Sequence, residues 1–275
     1  MKTRIISATV GVALFLAILI LSTNILLDTY FPIILTLAIA LLAAMGNFEI
    51  LSNTKIVKNK IITVISMAFT AVGTVLFSMG FDKAALLAYF IFVAVLLAVS
   101  LFIHEKTSPA ELAAAQAYSI FLCFAFSCVD KILREYGMFF FVLIFLFAWA
   151  SDTFAYFTGV FLGKHKLCPA LSPKKTVEGA VGGIVGCMLS VLVACLIKGM
   201  TFSDVSLWVL VLTTPIFSVC GMVGDISASY IKRHSGIKDY GNIMPGHGGV
   251  LDRFDSVLLI APVFYSLLYF FPTII

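Results

Sequence analysis

Charge is scarce in this sequence. Only 12% of its 275 residues are Asp, Glu, Lys or Arg, where a soluble globular domain carries roughly 25%. Hydrophobic residues make up 61%. A chain with so little polar surface cannot hide that much apolar side chain from water, so a soluble globular fold is excluded and the bilayer is the solvent that accepts it. Cysteine pairs are missing too. Cys123, Cys128, Cys168, Cys187, Cys195 and Cys220 include no C-x-x-C spacing and sit mostly in apolar runs, which excludes a thiolate metal site or a disulfide framework and leaves small buried side chains. No G-x-x-x-x-G-K-[ST] loop is present, so phosphate binding of the Walker A kind is excluded. No internal repeat is visible, which argues against an inverted-repeat transporter. The net charge of +4 matters less than where the charges fall, and no nucleic-acid partner is expected.

Long apolar runs are what the chain has in plenty. A spanning helix needs about 20 mostly apolar residues. Nine runs qualify: 5–27, 31–46, 61–79, 84–103, 112–129, 138–161, 180–197, 207–223 and 256–274. The expected fold class is all-α, a polytopic integral membrane helical bundle of about nine transmembrane helices. An N-terminal transmembrane region (1–135) would precede a C-terminal catalytic region (136–275). The first run follows a basic start but is longer than the apolar stretch of a signal peptide, so it is expected to stay as a helix. Fourteen of the eighteen Lys and Arg residues fall in alternate loops, starting with the N-terminus. By the positive-inside rule the N-terminus is expected in the cytoplasm and the C-terminus outside, in a membrane expected to be the bacterial inner membrane. The two longest polar loops, 162–179 and 224–255, would then share the cytoplasmic side, where together they can build one site.

The densest charge lies in 221–255, GMVGDISASYIKRHSGIKDYGNIMPGHGGVLDRFD. Asp225, Asp239, Asp252 and Asp255 are hard oxygen donors. Lys232, Arg233, Lys238 and Arg253 are phosphate partners. Gly246, Gly248 and Gly249 around His247 let backbone approach a ligand closely. Asp252 and Asp255 are three apart and would share a helix face. Carboxylates that bind a divalent cation, ringed by Lys and Arg, are what a nucleoside triphosphate needs. A solvated loop with ordinary salt bridges is the plainer reading, but carboxylates at helix ends near hydrocarbon are costly without a partner. A second stretch, LSPKKTVEGAVGG (171–183), offers Ser172, Lys174, Lys175 and Thr176 for triphosphate oxygens. A basic patch attracted to anionic lipid is the alternative. Asp152 lies inside an apolar run, and two readings stay open for it: a functional carboxylate or an interhelical hydrogen bond. His104, Glu105, His165 and His234 read as solvated loop residues.

From Ser229 to Asp255 the pattern S-Y-I-K-R-(4)-K-D-x-G-x-x-M-P-x-H-G-G-V-L-D-R-F-D closely resembles the signature of phosphatidate cytidylyltransferases, also called CDP-diacylglycerol synthases. S-P-K-K-T-x-E-G-x-x-G-G and Asp152-x-x-Ala155-Tyr156-x-x-Gly159-x-x-x-Gly163-Lys164 resemble two further blocks of that family, in order, over about 152–262. The N-terminal half is similar only as an apolar bundle. Met244 stands where relatives usually have Leu, Ile or Phe, and Ala228 where many bacterial members have Glu, so position 228 receives no role. The resemblance implies a nucleotidyltransferase that converts CTP and phosphatidate to CDP-diacylglycerol and pyrophosphate in phospholipid biosynthesis. The lipid phosphate, with a second pKa of about 6, is already mostly dianionic at neutral pH, so its attack on the α-phosphorus of CTP needs charge neutralisation and alignment more than a base. On this reading Asp225, Asp252 and Asp255, with Asp152 as a further candidate, hold Mg²⁺, and a second cation is allowed. Ser172, Lys174, Lys175 and Thr176 bind CTP phosphates. Asp225, Lys232, Arg233, Lys238, Asp239, His247 and Arg253 form the catalytic set. The expected partners are CTP, phosphatidate and the bilayer, with a homodimer left open. The alternative is a CTP-dependent lipid kinase acting on a polyprenol.

Overall fold

The computed structural model describes residues 31–242 and 248–272. The expected span 5–27 and His247 lie outside the described residues. In chain order the elements are α1 (Phe31–Phe48), a π-helical turn (Glu49–Asn53), α2 (Lys60–Ser78), α3 (Asp82–Phe102), a 3₁₀ turn (His104–Lys106), α4 (Pro109–Lys131), a second π turn (Ile132–Tyr136) and α5 (Met138–Leu162). There follow strands β1 (Lys166–Cys168) and β2 (Ser172–Thr176), then α6 (Val177–Ile197), α7 (Val205–His234), the single turn α8 (Leu251–Phe254) and α9 (Val257–Phe270). Among the described residues seven helices are long and apolar enough to cross a membrane, and they coincide with the second to eighth expected spans. The architecture is that of a polytopic helical membrane protein.

Three details differ from the sequence expectation. The ninth span forms a helix of only 14 residues, Val257–Phe270, short of the roughly 20 that cross a bilayer. The carboxylate and kink at Asp255–Ser256 precede it, and Pro272 follows close behind. The seventh long helix does not stop near 224 but runs to His234. Asp225 to His234 contains no Gly or Pro, and the first breaker is Gly236, which takes φ +71. Asp225, Lys232 and Arg233 therefore stand on a helix rather than in a loop. Thirty residues at about 1.5 Å each make roughly 45 Å, longer than a hydrocarbon core of about 30 Å. Third, the loop 162–179 folds into an antiparallel hairpin, with Lys166 opposite Thr176 and Cys168 opposite Ser172. Val177 N donates to His165 O (2.9 Å), which ties the hairpin to the start of α6.

The chain forms two compact units. One comprises residues up to Arg134 together with His234–Phe254, and the other Glu135–Arg233 together with Asp255 onward. In the first unit α2 packs against α1, α3 and α4, and polar side chains join these helices inside the bundle. Asn47 Nδ2 donates to Thr70 Oγ1 and to Ser119 Oγ, both at 2.9 Å. Asp130 is fully buried and is held by Arg134 Nε at 3.1 Å and by Thr36 Oγ1 at 2.5 Å. A buried carboxylate without such partners would cost several kcal/mol.

The second unit is built on α5 and α6, which pack against each other more extensively than any other pair of described helices. Gly179, Gly182, Gly183 and Gly186 follow the i, i+3, i+4, i+7 spacing of one helix face. A Cβ at Gly182 would overlap Thr158, and one at Gly186 would overlap Phe154. Small residues let membrane helices approach to where dispersion between backbones holds them. Phe147, Phe217 and Phe264 from α5, α7 and α9 form a ring cluster, tilted between Phe147 and Phe217 and edge-to-face at Phe264, and Ser151 and Ser218 share a 2.6 Å hydrogen bond. Replacing Gly186 with Leu must push α6 off Phe154. Thermal unfolding in detergent is expected to show a loss on the order of 3 kcal/mol, the scale of severe overpacking. Val185→Leu, on the exposed face of the same helix, is expected to leave the midpoint unchanged.

Candidate functional site

In the second unit, α5, the hairpin, α6 and Met222 of α7 line a pocket of about 570 Å³. Its polar wall is made by Asp152, Lys166, Ser172, Lys174, Lys175 and Thr176, and its apolar wall by Ala155, Tyr156, Val160, Ala180 and Met222. All four residues expected to bind triphosphate thus sit on one strand, and Asp152 joins them.

Each is positioned by local structure. Thr176 is the N-cap of α6, in extended conformation, and its Oγ1 accepts from Gly179 N at 3.1 Å. The side chain is buried, and Gly159, Gly163 and Gly179 surround it so closely that a Cβ at Gly179 would lie 2.8 Å from Thr176 Oγ1. Thr176 is therefore committed to holding the hairpin against α5 and α6. Glu178, in the first turn of α6, reaches back to the hairpin. It accepts from Lys164 N (3.0 Å) and His165 N (3.2 Å) and pairs with His165 Nδ1 at 2.6 Å. His165 is exposed, as expected of a loop residue, yet it is tied to Glu178. Neither Glu178 nor Lys166 was singled out from sequence. A carboxylate in the first turn of a helix was the available signal for Glu178, and for Lys166 there was none beyond its charge.

Lys174 and Lys175 alternate along β2 and so diverge. Lys174 is exposed. Lys175 Nζ lies 2.5 Å from Asp225 Oδ2, so the strand reaches the D-I-S-A-S turn of α7 through an ion pair. Asp152 lies within electrostatic reach of Lys175 and Asp225, and Asp255 within reach of Asp225, Lys232 and Asp152. Gly224 makes this approach possible, since a Cβ there would overlap Asp255 O. Asp255 Oδ1 accepts from Ser256 N at 2.8 Å. Burial, with Asp225 and Asp152 beside it, raises the Asp255 carboxyl to about 7, and Ser256 N–H and Lys232 only partly offset this. Three carboxylates are set against Lys175 and Lys232.

The rest of the signature lies in the first unit. Asp252 Oδ2 accepts from Tyr240 N (2.7 Å) and Gly249 N (2.9 Å). Lys238, Asp239 and Arg253 are exposed. Glu49, not singled out from sequence, accepts from Val250 N and Leu251 N, both at 2.9 Å. Its signal was the one that marked Asp152, a lone carboxylate in an apolar run. Among the described residues no group of three His, Cys, Asp or Glu side chains is gathered tightly enough to form a ready metal cage.

Comparison with known proteins bears on this arrangement. The family model described as the Cytidylyltransferase family matches residues 2–271. A phosphatidate cytidylyltransferase of Staphylococcus saprophyticus is 46% identical over 137 residues, covering 49% of this chain and 51% of that protein. The phosphatidate cytidylyltransferase of Bacillus subtilis is 42% identical over 155 residues, 56% of each chain. That of Staphylococcus aureus is 45% identical over 137 residues, 49% of this chain and 51% of its own length. The chain thus spans about half the length of the curated relatives it matches.

The raised Asp255 carboxyl sets a pH dependence. With the ordinary value near 4 and the folded value about 7, the folded protein binds more protons than the unfolded chain between these limits, so stability falls as pH rises through that window. In EDTA the melting temperature is expected to drop from pH 5 to pH 7.5, and Asp255→Asn to flatten the drop. A wild-type profile that rises over that range would contradict the arrangement.

Proposed function

We propose that this chain, which belongs to the cytidylyltransferase family, is a phosphatidate cytidylyltransferase that joins CTP and phosphatidate into CDP-diacylglycerol with release of pyrophosphate. The observation that carries the reading is the pocket wall on β2, where Lys174 and Lys175 stand with Lys166 and Ser172 beside Asp152 and Lys175 reaches Asp225. Cations with one open side suit polyphosphate, and carboxylates behind them suit a metal.

The donor chemistry suits such an ion, although the three carboxylates are not gathered into a ready cage among the described residues. Asp225, Asp255 and Asp152 offer only hard oxygens, they repel one another, and burial disfavours the charge on Asp255. We assign Mg²⁺ to these three; that Asp252 shares it rests on the sequence motif alone. When bound, the ion supplies neutralisation of phosphate charge. The chain's own residues do the rest. Lys174, Lys166 and Ser172 hold the CTP phosphates, and Lys175 keeps β2 in register with Asp225. Lys232 and Arg233, on the last turns of α7, receive the lipid phosphate. That phosphate is mostly dianionic at neutral pH, its second pKa being about 6, so no side chain needs to remove a proton before it attacks the α-phosphorus of CTP. Two polyanions must instead be brought in line, which is electrostatic and positional work. Lys238, Asp239, His247 and Arg253 enter the proposal from the motif. The Lys and Arg bias supports a cytoplasmic position for the hairpin and for 234–254, with the N-terminus inside and the C-terminus outside the cell membrane.

The test is a product assay on the detergent-purified chain with cytidine-labelled CTP, phosphatidate and Mg²⁺. A lipid-soluble cytidine product with one pyrophosphate per turnover is expected. Water-soluble CDP with a phosphorylated lipid would mean kinase chemistry and sink the reading, as would no turnover. In the same assay Lys174→Ala is expected to raise KM for CTP about tenfold, a loss of ~1.4 kcal/mol, and to move KM for phosphatidate far less. An effect confined to the lipid would make β2 a membrane anchor.

A further inference from the structure

We infer that Glu49, together with Asn53, is a positioning residue of the proposed reaction, holding Tyr240 and Gly249–Asp252 of the signature in working geometry. The inference rests on the cytidylyltransferase reading for its kinetic consequence but on independent contacts for its structure. Glu49 opens the π-helical turn Glu49–Asn53 and is 1% exposed. A carboxylate buried at the end of an apolar helix is costly unless each oxygen is answered. Here each is answered by one backbone amide, Oε1 by Val250 and Oε2 by Leu251.

The fit around it is close. A Cβ at Gly241 would lie 2.5 Å from Glu49 Oε1, and one at Gly249 would overlap the carboxylate. One turn earlier on α1, a Cβ at Gly46 would lie 2.9 Å from Leu251 Cδ2. Asn53, four residues on, donates from Nδ2 to Tyr240 O at 2.6 Å, and Tyr240 is itself buried. Tyr240 and Gly249 are joined through Asp252, whose Oδ2 accepts from Tyr240 N and Gly249 N. Two side chains of one π turn thus hold Tyr240 on one side and Val250 and Leu251 on the other, and the residues directly after Leu251 are Asp252 and Arg253. Turns of this kind inside helices recur where a helix must re-aim side chains.

The chemistry needs an acceptor at both oxygens. Glu49→Gln keeps the shape but points an N–H₂ at an amide N–H. Asn53→Ala removes the Tyr240 grip and leaves Glu49 in place. In the CTP and phosphatidate assay, Glu49→Gln is expected to lower kcat on the order of 10- to 100-fold, the scale of a small misplacement of reacting groups, with KM for CTP within about twofold. Asn53→Ala is expected to act in the same direction and more weakly. Hydrogen–deuterium exchange is expected to speed up at 248–254 in both variants while α2 keeps its protection, which a general loss of stability would not produce. Wild-type turnover in both variants, or unchanged exchange at 248–254, would overturn the inference. If the wild-type chain makes no cytidine lipid, the function reading fails, and exchange at 248–254 alone decides whether Glu49 holds the segment.

Discussion

A carboxylate near hydrocarbon must be answered, and the answer it receives separates scaffold from site in this protein. Asp130 is answered within its own unit by Arg134 and Thr36. Glu49 is answered by two amides. In the other unit Asp225 has Lys175, but Asp255 has two neighbouring carboxylates and burial on one side of the balance, and Lys232 and one amide on the other. Its carboxyl is raised because nothing described there completes its neutralisation. Groups whose environments push their pKa away from the ordinary value mark sites that something else is meant to enter. The same constraint leaves Asp130 neutralised inside its bundle and Asp255 with a raised carboxyl, which is why the proposed metal falls to Asp255 and not to Asp130.

The hairpin acquires its precision from the helices beneath it. A strand carrying Ser172, Lys174 and Lys175 would wander as a free loop, and a wandering loop cannot fix phosphate oxygens. Thr176 and Glu178 prevent this. One caps α6, packed among three glycines, and the other gathers Lys164 and His165 from the far side. The glycines that let α5 and α6 touch are therefore also what brings the phosphate-facing strand onto a rigid base.

Much of this was legible in the residues. Seven described helices fall where apolar runs of spanning length lie, because in lipid nothing but a helix satisfies a run of backbone amides. Asp152, Lys174 and Lys175 stood out as charge in apolar company, and they meet at one pocket. What was not legible depended on partners far along the chain. The end of α7 was placed at 224 because hydropathy falls there, yet charged residues with good helix propensity carry the helix ten residues further. Lys174 and Lys175 read as an equivalent pair, and only strand alternation separates the exposed one from the one that meets Asp225. Glu49 is a single letter in an apolar half whose partners lie about 200 residues away, a distance at which no local pattern gives warning.

The extra length of α7 bears on the proposed chemistry. A helix that stopped at the edge of the hydrocarbon would leave Lys232 and Arg233 in a loop, free to follow solvent. Continuing for about ten residues past the apolar stretch, it carries both cations on one continuous helix. On the proposed reading, phosphatidate would keep its acyl chains in lipid and raise only its phosphate to the polar edge of the membrane. CTP comes from water and never has to enter hydrocarbon. The proposed reaction would then require no movement of either substrate across the membrane, only a fixed line between two phosphorus centres. Such a line is more securely held by helix ends and a glycine-seated strand than by mobile loops, which is why a protein with so little charge can afford to concentrate it there.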